Sequence, residues 1–359
     1  MKIIHIAESF AGGVYDFLAD LTNGLPEYEY LIIYGKRENT PLNFEKDFPQ
    51  RTRFIYWQEA TREINPAKDL KALLQLIKIL KNENFDILHL HSSKAGFLGR
   101  LAARILGVQN KVIYTSHGVS FLRKDVSNFK LKQFIYFEKL AYKFGGKIIA
   151  CSRSEAEEFK KYGIEAEYIY NGIKCNIDYS KSCKKYSKNL IIGTVGRLTY
   201  QKNPSLFNEI AKHFEDIKAI KFLWIGDGEL RNELTSKNIE ITGWLPKDEV
   251  FNKLQEIDIY LSTSLWEGLP LSVLQAMCMS KPLILSNCVG NKDLVKNGYN
   301  GFLFNDKQEA VEIIMEFLED SKMLNIIGKN SLSLLKGKFS IDKMLEKYKK
   351  LYFNIHKNK

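Results

Sequence analysis

This 359-residue chain contains no apolar run near the roughly 20 residues that a membrane-spanning helix requires. Its N-terminus, MKIIHIAESF, has the pattern of a short strand and not that of a signal peptide. Cysteine is scarce as well, with five residues that are widely spaced and form no CxxC pair. That pattern is typical of buried or unpaired thiols in a reducing cytoplasm and disfavours a zinc site. The sequence therefore predicts a cytoplasmic protein without a spanning helix.

Tandem repeats and low-complexity tracts are also missing, and the chain instead shows two runs of alternating strands and helices. The first run begins with an apolar strand at Lys2–Ala7, and the second with a strand at Leu190–Val195. A chain of 359 residues exceeds one comfortable hydrophobic core, so two domains are expected. The alternation predicts an α/β protein with two mostly parallel sheets, which bind ligands at the carboxyl ends of their strands.

The expected boundaries follow from this alternation. The N-terminal domain occupies residues 1–173, a polar and lysine-rich linker residues 174–189, and the second domain residues 190–339. Residues 340–359 form a final helix, because apolar side chains recur there at helical spacing: Ile341, Met344, Leu345, Tyr348 and Leu351.

One stretch, from Leu261 to Phe304, carries most of the chemical information. It is predicted to run from a buried strand through a turn into a helix and then into another strand, with Pro270 as the first helical residue. Glu267 and Gly268 come just before. The helix therefore begins with free backbone N–H groups, a glycine that permits close approach and one carboxylate. This combination suits a ligand that carries both a phosphate and hydroxyl groups.

The run Glu267–GLPLSVL–Gln275 resembles the donor-site motif of the retaining glycosyltransferases of family 4, which have the GT-B fold. The family has Glu at both ends, so here an amide replaces the second acid. The resemblance implies that Glu267 binds donor-sugar hydroxyls and that Gln275 binds the ribose diol, with Gly268, Leu269 and Pro270 completing the donor site. The alternative is an ordinary strand–helix–strand unit in which Glu267 is solvated.

Two cations follow the first strand of the second domain, in the segment GTVGRLTYQKNP. Arg197 and Lys202 follow a strand's carboxyl end, where two cations are able to clamp a diphosphate without metal. Both match the family pattern. Without the Glu267 motif, they would be interpreted as two surface cations on a loop. The chain has no Asp-x-Asp metal motif. Its nearest approach, Asp227-Gly228-Glu229, is interpreted as a glycine-rich turn with Asp227 as a helix N-cap. We therefore expect no metal and no cofactor.

Other candidates lie in loops at predicted strand ends. Gly12 and Gly13 let a substrate approach the backbone, and the resemblance places them near the donor phosphate. His117 matches the family's active-site histidine, which contacts the donor sugar. Leu245 lies in the loop expected to flank the nucleobase. The loop that follows His89 and His91 is expected to touch the acceptor through three residues: Ser92, Ser93 and Lys94.

His89 and His91 alternate along a predicted strand. One of them is expected to face the ligand cleft, although placement in the core or at the surface is an equal alternative.

The net charge of +11 suggests an anionic partner. Residues 121–147 contain seven Lys or Arg side chains, two acids and seven aromatic residues. A basic and aromatic segment of this kind is able to lie on an anionic bilayer. The alternative is that the aromatic side chains are core and the lysines are merely solvated. No nucleic-acid recognition motif is present.

Together these features predict a GT-B protein with two Rossmann-like domains that face each other across a cleft, and a last helix that crosses back to the first domain. The expected enzyme is a retaining, metal-independent glycosyltransferase. It moves a hexose or acetamidohexose from a UDP-sugar to a lipid-linked saccharide in bacterial envelope polysaccharide synthesis, such as O-antigen or capsule, at the inner face of the plasma membrane. The alternatives are a sugar-nucleotide epimerase and a non-catalytic binding partner of another transferase.

Overall fold

The computed structural model describes residues 1–61, 64–175 and 190–357. The chain forms two compact units. The first contains Met1–Asn171 together with the C-terminal segment from Ile341, and the second contains Gly172–Ser340. Of the predicted linker, residues 176–189 lie outside the described part of the chain.

The first unit is built on a parallel sheet of seven strands in the order β3-β2-β1-β4-β5-β6-β7. The strands are β1 Lys2–Ala7, β2 Glu29–Tyr34, β3 Arg53–Tyr56, β4 Ile87–His91, β5 Val112–Thr115, β6 Lys147–Ala150 and β7 Glu167–Tyr168. The helices are α1 Gly12–Gly24, α2 Pro66–Lys81, α3 Ser93–Ile105, α4 Asn128–Tyr142 and α5 Arg153–Lys161, with α11 Ile341–Lys357 from the far end of the chain.

Two hydrophobic clusters cover the two faces of this sheet. One contains buried residues of α2, α3 and α5, and the other contains residues of α1 and α11. Helix α11 therefore belongs to the core of the first unit, where Tyr348 and Tyr352 are fully buried. Most of its predicted stripe is buried, whereas Leu345 is half-buried.

For helix α2 the sequence periodicity predicts an apolar stripe of four residues: Leu70, Leu73, Leu74 and Ile77. Only part of this stripe faces inwards, because Leu73 is buried whereas Leu70 and Leu74 are 57 % and 56 % exposed. The buried positions are Ala72, Leu73, Leu76 and Leu80. Because leucine and isoleucine occur on both sides of this helix, periodicity alone fits either face, and packing against Trp57 and β4 decides between them.

The second unit contains a parallel sheet of six strands in the order β10-β9-β8-β11-β12-β13. The strands are β8 Leu190–Val195, β9 Ile220–Ile225, β10 Ile239–Ile241, β11 Ile259–Ser262, β12 Leu283–Ser286 and β13 Gly301–Phe304. The helices are α6 Pro204–His213, α7 Lys247–Glu256, α8 Leu271–Cys278, α9 Lys307–Glu319 and α10 Ser321–Lys338. The predicted α/β class with mostly parallel sheets is confirmed.

The expectation of unpaired thiols is wrong for two cysteines. Cys175 and Cys278 form a disulfide, with Cα atoms 5.7 Å apart. The fold brings the start of the second unit against the end of α8, and a separation of 103 residues hides this pairing from the sequence. Cys151 and Cys288 remain thiols. Among the described residues, no helix combines the length and apolar character needed to cross a bilayer.

Candidate functional site

The second unit brings two predicted donor-site residues into direct contact. The loops after β8 and β11 leave neighbouring parallel strands at the same edge of the sheet. Lys202 Nζ lies 2.6 Å from Glu267 Oε1. The second oxygen, Oε2, accepts a hydrogen bond of 3.3 Å from Gln201 Nε2, a residue that the sequence reasoning passed over although it adjoins Lys202. A carboxylate and two donors thus converge at the carboxyl end of the sheet, where α/β proteins bind ligands.

This pair is largely removed from water. The side chains of Lys202 and Glu267 are 21 % and 9 % exposed. Burial lowers the pKa of Lys202, but the charge of Glu267, a further contribution from Tyr260 and the hydrogen bond to Glu267 outweigh burial, so the pKa lies above its ordinary value. Lys202 is therefore a cation at neutral pH, poised beside a position suited to an anionic ligand.

The backbone at the start of α8 is held by the loop after β12. The Glu267 N–H donates to Val289 O at 3.0 Å. Gly290 has a φ of +86°, and a Cβ there would lie 2.7 Å from Gly268 O. Only glycine fits this approach, and the sequence reasoning did not single it out. Because Pro270 is the N-cap residue of α8, the helix begins one residue later than predicted, at Leu271.

Arg197 lies in the same loop as Lys202 but is more exposed. Lys202 passes over Gly196, since a Cβ at that glycine would lie 3.1 Å from Lys202 Cε. Arg197 pairs with Glu229 at 3.3 Å, and the two side chains are 50 % and 54 % exposed. A surface pair of this kind contributes little stability and exchanges partners readily. Arg197 is thus available to an incoming anion.

The glycine-rich turn at Gly226–Glu229 packs against the loop of Arg197. A Cβ on Gly226 would lie 2.3 Å from Gly196 O. The prediction that Asp227 caps a helix is wrong: the next element is a 3₁₀ helix at Arg231–Glu233 whose N-cap residue is Leu230. The Asp227 carboxylate instead accepts from Arg231 Nη1 at 2.7 Å. The turn was identified correctly, and the ion pair that replaces the cap is local, since its two residues are four apart in the sequence.

Two further residues of the second unit were predicted to bind the nucleotide, Gln275 and Leu245. Gln275 is half-buried on α8, and no side-chain hydrogen bond is found for it within the part of the chain that the structure describes. Leu245 is half-buried beside Trp244, which is 60 % exposed and had not been predicted as a site residue. Their roles in binding ribose and base stay predictions.

In the first unit, His117 occupies a strained turn directly after β5. His117 and Gly118 have φ values of +54° and +97°. Its ring is held on both sides, since Nε2 lies 3.0 Å from His91 Nδ1 and Nδ1 lies 3.5 Å from Cys151 Sγ. Burial lowers the pKa of His117 to about 3, so the imidazole is neutral. A non-glycine residue in this conformation is costly and marks a position where the surrounding structure imposes the geometry.

Behind His117 lies a buried cluster of imidazoles. His91 Nε2 lies 2.9 Å from His5 Nδ1, and His89 contacts Tyr352 and Thr115 at 2.8 and 2.9 Å. Of the placements left open for His89 and His91, the core is the one found, because both are fully buried and His89 contacts α11 through Tyr352. The rings of His5, His89 and His91 are close enough to hold a metal ion, but five of their six nitrogens already pair with another imidazole or with a hydroxyl group, and of the six only His5 Nε2 has no partner among the described residues. We therefore interpret the cluster as a polar part of the core.

The remaining first-unit candidates surround the starts of α1 and α3. Gly12 and Gly13 are the first residues of α1, and Gly12 has a φ of +53° with open space where a Cβ would lie. Ser92 Oγ donates to the buried carboxylate of Glu8 at 3.4 Å. Ser93 is the first residue of α3, and Lys94 Nζ pairs with Asp69 Oδ1 at 2.7 Å. Contact of these residues with substrate stays a prediction.

The sequence matches two family profiles that together cover nearly the whole chain. Residues 11–176 match Glycosyltransferase Family 4, and residues 177–333 match Glycosyl transferases group 1. An Escherichia coli relative, UDP-Gal:alpha-D-GlcNAc-diphosphoundecaprenol alpha-1,3-galactosyltransferase, is 34 % identical over 93 % of this chain and 92 % of its own length.

A Campylobacter jejuni relative, N,N'-diacetylbacillosaminyl-diphospho-undecaprenol alpha-1,3-N-acetylgalactosaminyltransferase, is 27 % identical over 85 % of this chain and 87 % of its own. Among solved structures, Anabaena HepE in complex with UDP and glucose superposes with a TM-score of 0.79 at 18 % identity. That superposition covers 99 % of this chain and 100 % of HepE.

Proposed function

This chain is a glycosyltransferase that belongs to family 4 and has the GT-B fold, and we propose that it transfers a hexose or acetamidohexose from a UDP-sugar to a lipid-linked saccharide with retention of configuration. The names of the Escherichia coli and Campylobacter jejuni relatives, which share undecaprenol-linked acceptors, support the acceptor class. They also favour donors of the galactose type, because one relative transfers galactose and the other N-acetylgalactosamine. The expected setting is the synthesis of a bacterial envelope polysaccharide.

The observation that carries this proposal is the contact between Lys202 and Glu267, 2.6 Å apart at the carboxyl edge of the sheet. Each group is of the type that one part of a nucleotide sugar needs. A carboxylate accepts hydrogen bonds from sugar hydroxyls, and an ammonium neutralises a departing diphosphate. Without ligand the two satisfy each other, and a bound donor would offer each a new partner.

The reaction needs no group beyond those of substrate and protein. The bond between the anomeric carbon and the diphosphate breaks, the acceptor oxygen bonds to that carbon, and its proton passes to the departing phosphate. Glu267 is tied to Lys202 and Gln201, and burial raises the pKa of the Cys288 thiol to about 12. Neither is therefore arranged as a free nucleophile, which favours attack from the side of the leaving group.

We also propose that Lys202 and Arg197 replace a metal ion at the diphosphate. Both cations come from the loop that follows β8; Lys202 is half-buried and Arg197 is exposed. Transfer is then expected to be unchanged by EDTA. If chelation stopped transfer and a divalent ion restored it, the two-cation arrangement would be the wrong mechanism.

Helix α4 supports a location at an anionic membrane surface. Phe129 and Tyr136 are 70 % and 63 % exposed, whereas Phe121 is buried. Exposed lysines lie at helical spacing from these rings, two on the helix and one at its C-cap: Lys132, Lys139 and Lys143. Some aromatic residues of this segment are therefore core, and others face water beside cations. This exposed stripe has the composition of a surface that binds bilayers reversibly.

A direct test incubates the purified protein with UDP-galactose, UDP-N-acetylgalactosamine, UDP-glucose or UDP-N-acetylglucosamine, with GlcNAc-diphosphoundecaprenol as acceptor. We expect a longer lipid-linked saccharide with one donor of the galactose type, an α linkage by NMR, and a raised melting temperature with the same donor. A new sugar nucleotide formed without acceptor would make the protein an epimerase. Donor binding without transfer to any lipid-linked saccharide would make it a binding partner.

A further inference from the structure

The buried carboxylate of Glu155 holds the turn that carries His117. Glu155 is fully buried at the first turn of α5. Its Oε1 accepts three hydrogen bonds, from Ser116 Oγ at 2.8 Å, the Gly118 N–H at 2.9 Å and the Val119 N–H at 2.8 Å. Its Oε2 accepts a fourth, from the Cys151 N–H at 2.8 Å. Four donors therefore converge on one carboxyl group.

Helix capping accounts for only part of this arrangement. The sequence predicts a capping box between Ser152 and Glu155, and Ser152 Oγ does accept from the Glu155 N–H at 3.1 Å. The Glu155 carboxylate, however, accepts from Cys151 and from the turn after β5 rather than from the Ser152 N–H. A capping side chain has thus become a link between two loops at the same edge of the sheet.

The conformation of the turn depends on this link. Consecutive N–H groups that follow left-handed residues form a concave site for an anion, and here Glu155 fills it from inside the protein. Without the carboxylate, the buried N–H groups of Gly118 and Val119 would lack acceptors. The cost of leaving them unsatisfied would favour a different backbone at His117, whose φ is +54°.

We infer that Glu155 is a positioning residue for His117, acting through the backbone of residues 116–119. The ring of His117 is fixed separately by His91 and Cys151, so backbone and side chain are both set before any ligand arrives. The consequence for catalysis rests on the proposed function and on the contact between His117 and the donor sugar that the family resemblance implies. Displacement of a contact group by about 1 Å is enough to cost up to about a hundredfold in rate.

The test compares Glu155→Gln with Glu138→Gln. Glu138 is the matched control, because it is also a buried glutamate of the first unit, paired with Arg100 at 2.6 Å, and lies outside the turn. In Glu155→Gln either the amide nitrogen faces the Cys151 N–H or it faces the other three donors, so at least one hydrogen bond is lost. We expect kcat to fall at least about tenfold at nearly constant acceptor KM, while Glu138→Gln loses thermal stability but keeps kcat.

A second readout does not depend on activity. Six histidines are present, and ¹⁵N labelling of their rings resolves the two nitrogens of each. The His117 signals, assigned with His117→Gln, should shift in Glu155→Gln and stay in place in Glu138→Gln. Unchanged His117 signals together with a kcat within about twofold of the parent would overturn the inference, as would an equal loss of kcat in both variants.

If Glu155→Gln does not fold, a milder variant still tests whether Glu155 positions His117. Ser116→Ala removes one of the four donors and leaves the carboxylate in place. It should shift the His117 signals and lower kcat a few-fold, and a spectrum identical to the parent's would count against Glu155 as the organiser of the turn. If the parent protein shows no transfer with any donor, the proposed function fails, while the ring signals still decide the role of Glu155.

Discussion

The ion pair between Lys202 and Glu267 joins the group proposed to stabilise the diphosphate to the group proposed to bind the donor sugar. Each side chain is held by the other at 2.6 Å, so removal of either leaves a partly buried charge without its partner. In the proposed reaction the same two groups act on opposite ends of the bond that breaks. Their contributions to catalysis are therefore expected to be interdependent.

Glu267→Ala and Lys202→Ala should each lower kcat by about a hundredfold or more, and the double variant should lose far less than the product of the two. Steady-state kinetics of the four proteins measure this directly. Arg231→Ala is the matched control, because it removes an ion pair of 2.7 Å in the neighbouring turn and should stay close to the parent. Strictly multiplicative losses would show that Lys202 and Glu267 act independently.

Gln275 is the residue at which the chain departs from the family pattern. A neutral amide is able to bond a ribose diol, but without the charge-assisted strength of a carboxylate. Gln275→Glu should therefore preserve or tighten the binding of a UDP-sugar, measured by calorimetry, whereas Gln275→Leu should weaken it. A much lower affinity in Gln275→Glu would mean that the amide N–H makes a contact that a carboxylate cannot make.

At the scale of elements, the surface of α4 that is proposed to bind membranes is distinct from the proposed donor site. Its exposed stripe lies in the first unit, whereas the Lys202–Glu267 pair lies in the second. Each lysine near an anionic bilayer contributes about 1 kcal/mol, and high salt screens that attraction. Substitution of the lysines in this stripe is therefore expected to leave the donor site intact.

Changing Lys132, Lys139 and Lys143 to Glu should abolish sedimentation with anionic vesicles, while the UDP-sugar affinity stays at the parental value. The matched control changes three exposed lysines of the second unit to Glu: Lys212, Lys218 and Lys221. The control should still sediment at low salt and be released at high salt. Equal loss of sedimentation in both triple variants would assign binding to total charge and not to α4.

The sequence predicted the elements better than it predicted their long-range contacts. The motif from Glu267 to Gln275 is local, so the preceding strand and the helix could be placed to within one or two residues. The Cys175–Cys278 disulfide and the contact of His89 with Tyr352, across 263 residues, depend on tertiary structure and leave no mark on local pattern. Glu155 shows the same limit, because its spacing from Ser152 fits a cap and nothing local indicates its second role.

At the scale of the whole molecule, the histidine cluster links stability to pH. Burial lowers the pKa of His5 and of His117 from 6.5 to about 3, and lowers those of His89 and His91 as well. In the unfolded chain these rings take up protons near the ordinary value. Between pH 6.5 and about 3 the unfolded state thus binds more protons, so the free energy of unfolding falls as the solution becomes more acidic.

His5→Phe should reduce this pH dependence by up to one proton, or about 1.4 kcal/mol per pH unit, and His213→Phe, at an exposed position of the second unit, serves as the control. Trp57 is the one tryptophan of the first unit and is fully buried. Its fluorescence during urea unfolding, with the other three tryptophans changed to Phe, follows that unit alone. An identical slope in parent and His5→Phe would show that His5 is protonated in the folded protein.

The return of α11 to the first unit also constrains the order in which the protein is made. Tyr348 and Tyr352 complete the side of the sheet that holds the histidines, yet the ribosome adds them after the whole second unit. All the described strands of the second unit are therefore synthesised before α11, the last helix of the first unit. Until then this face of the sheet has only α1 to cover it, so a part of the apolar surface around β1 and β4 is exposed to chaperones during synthesis.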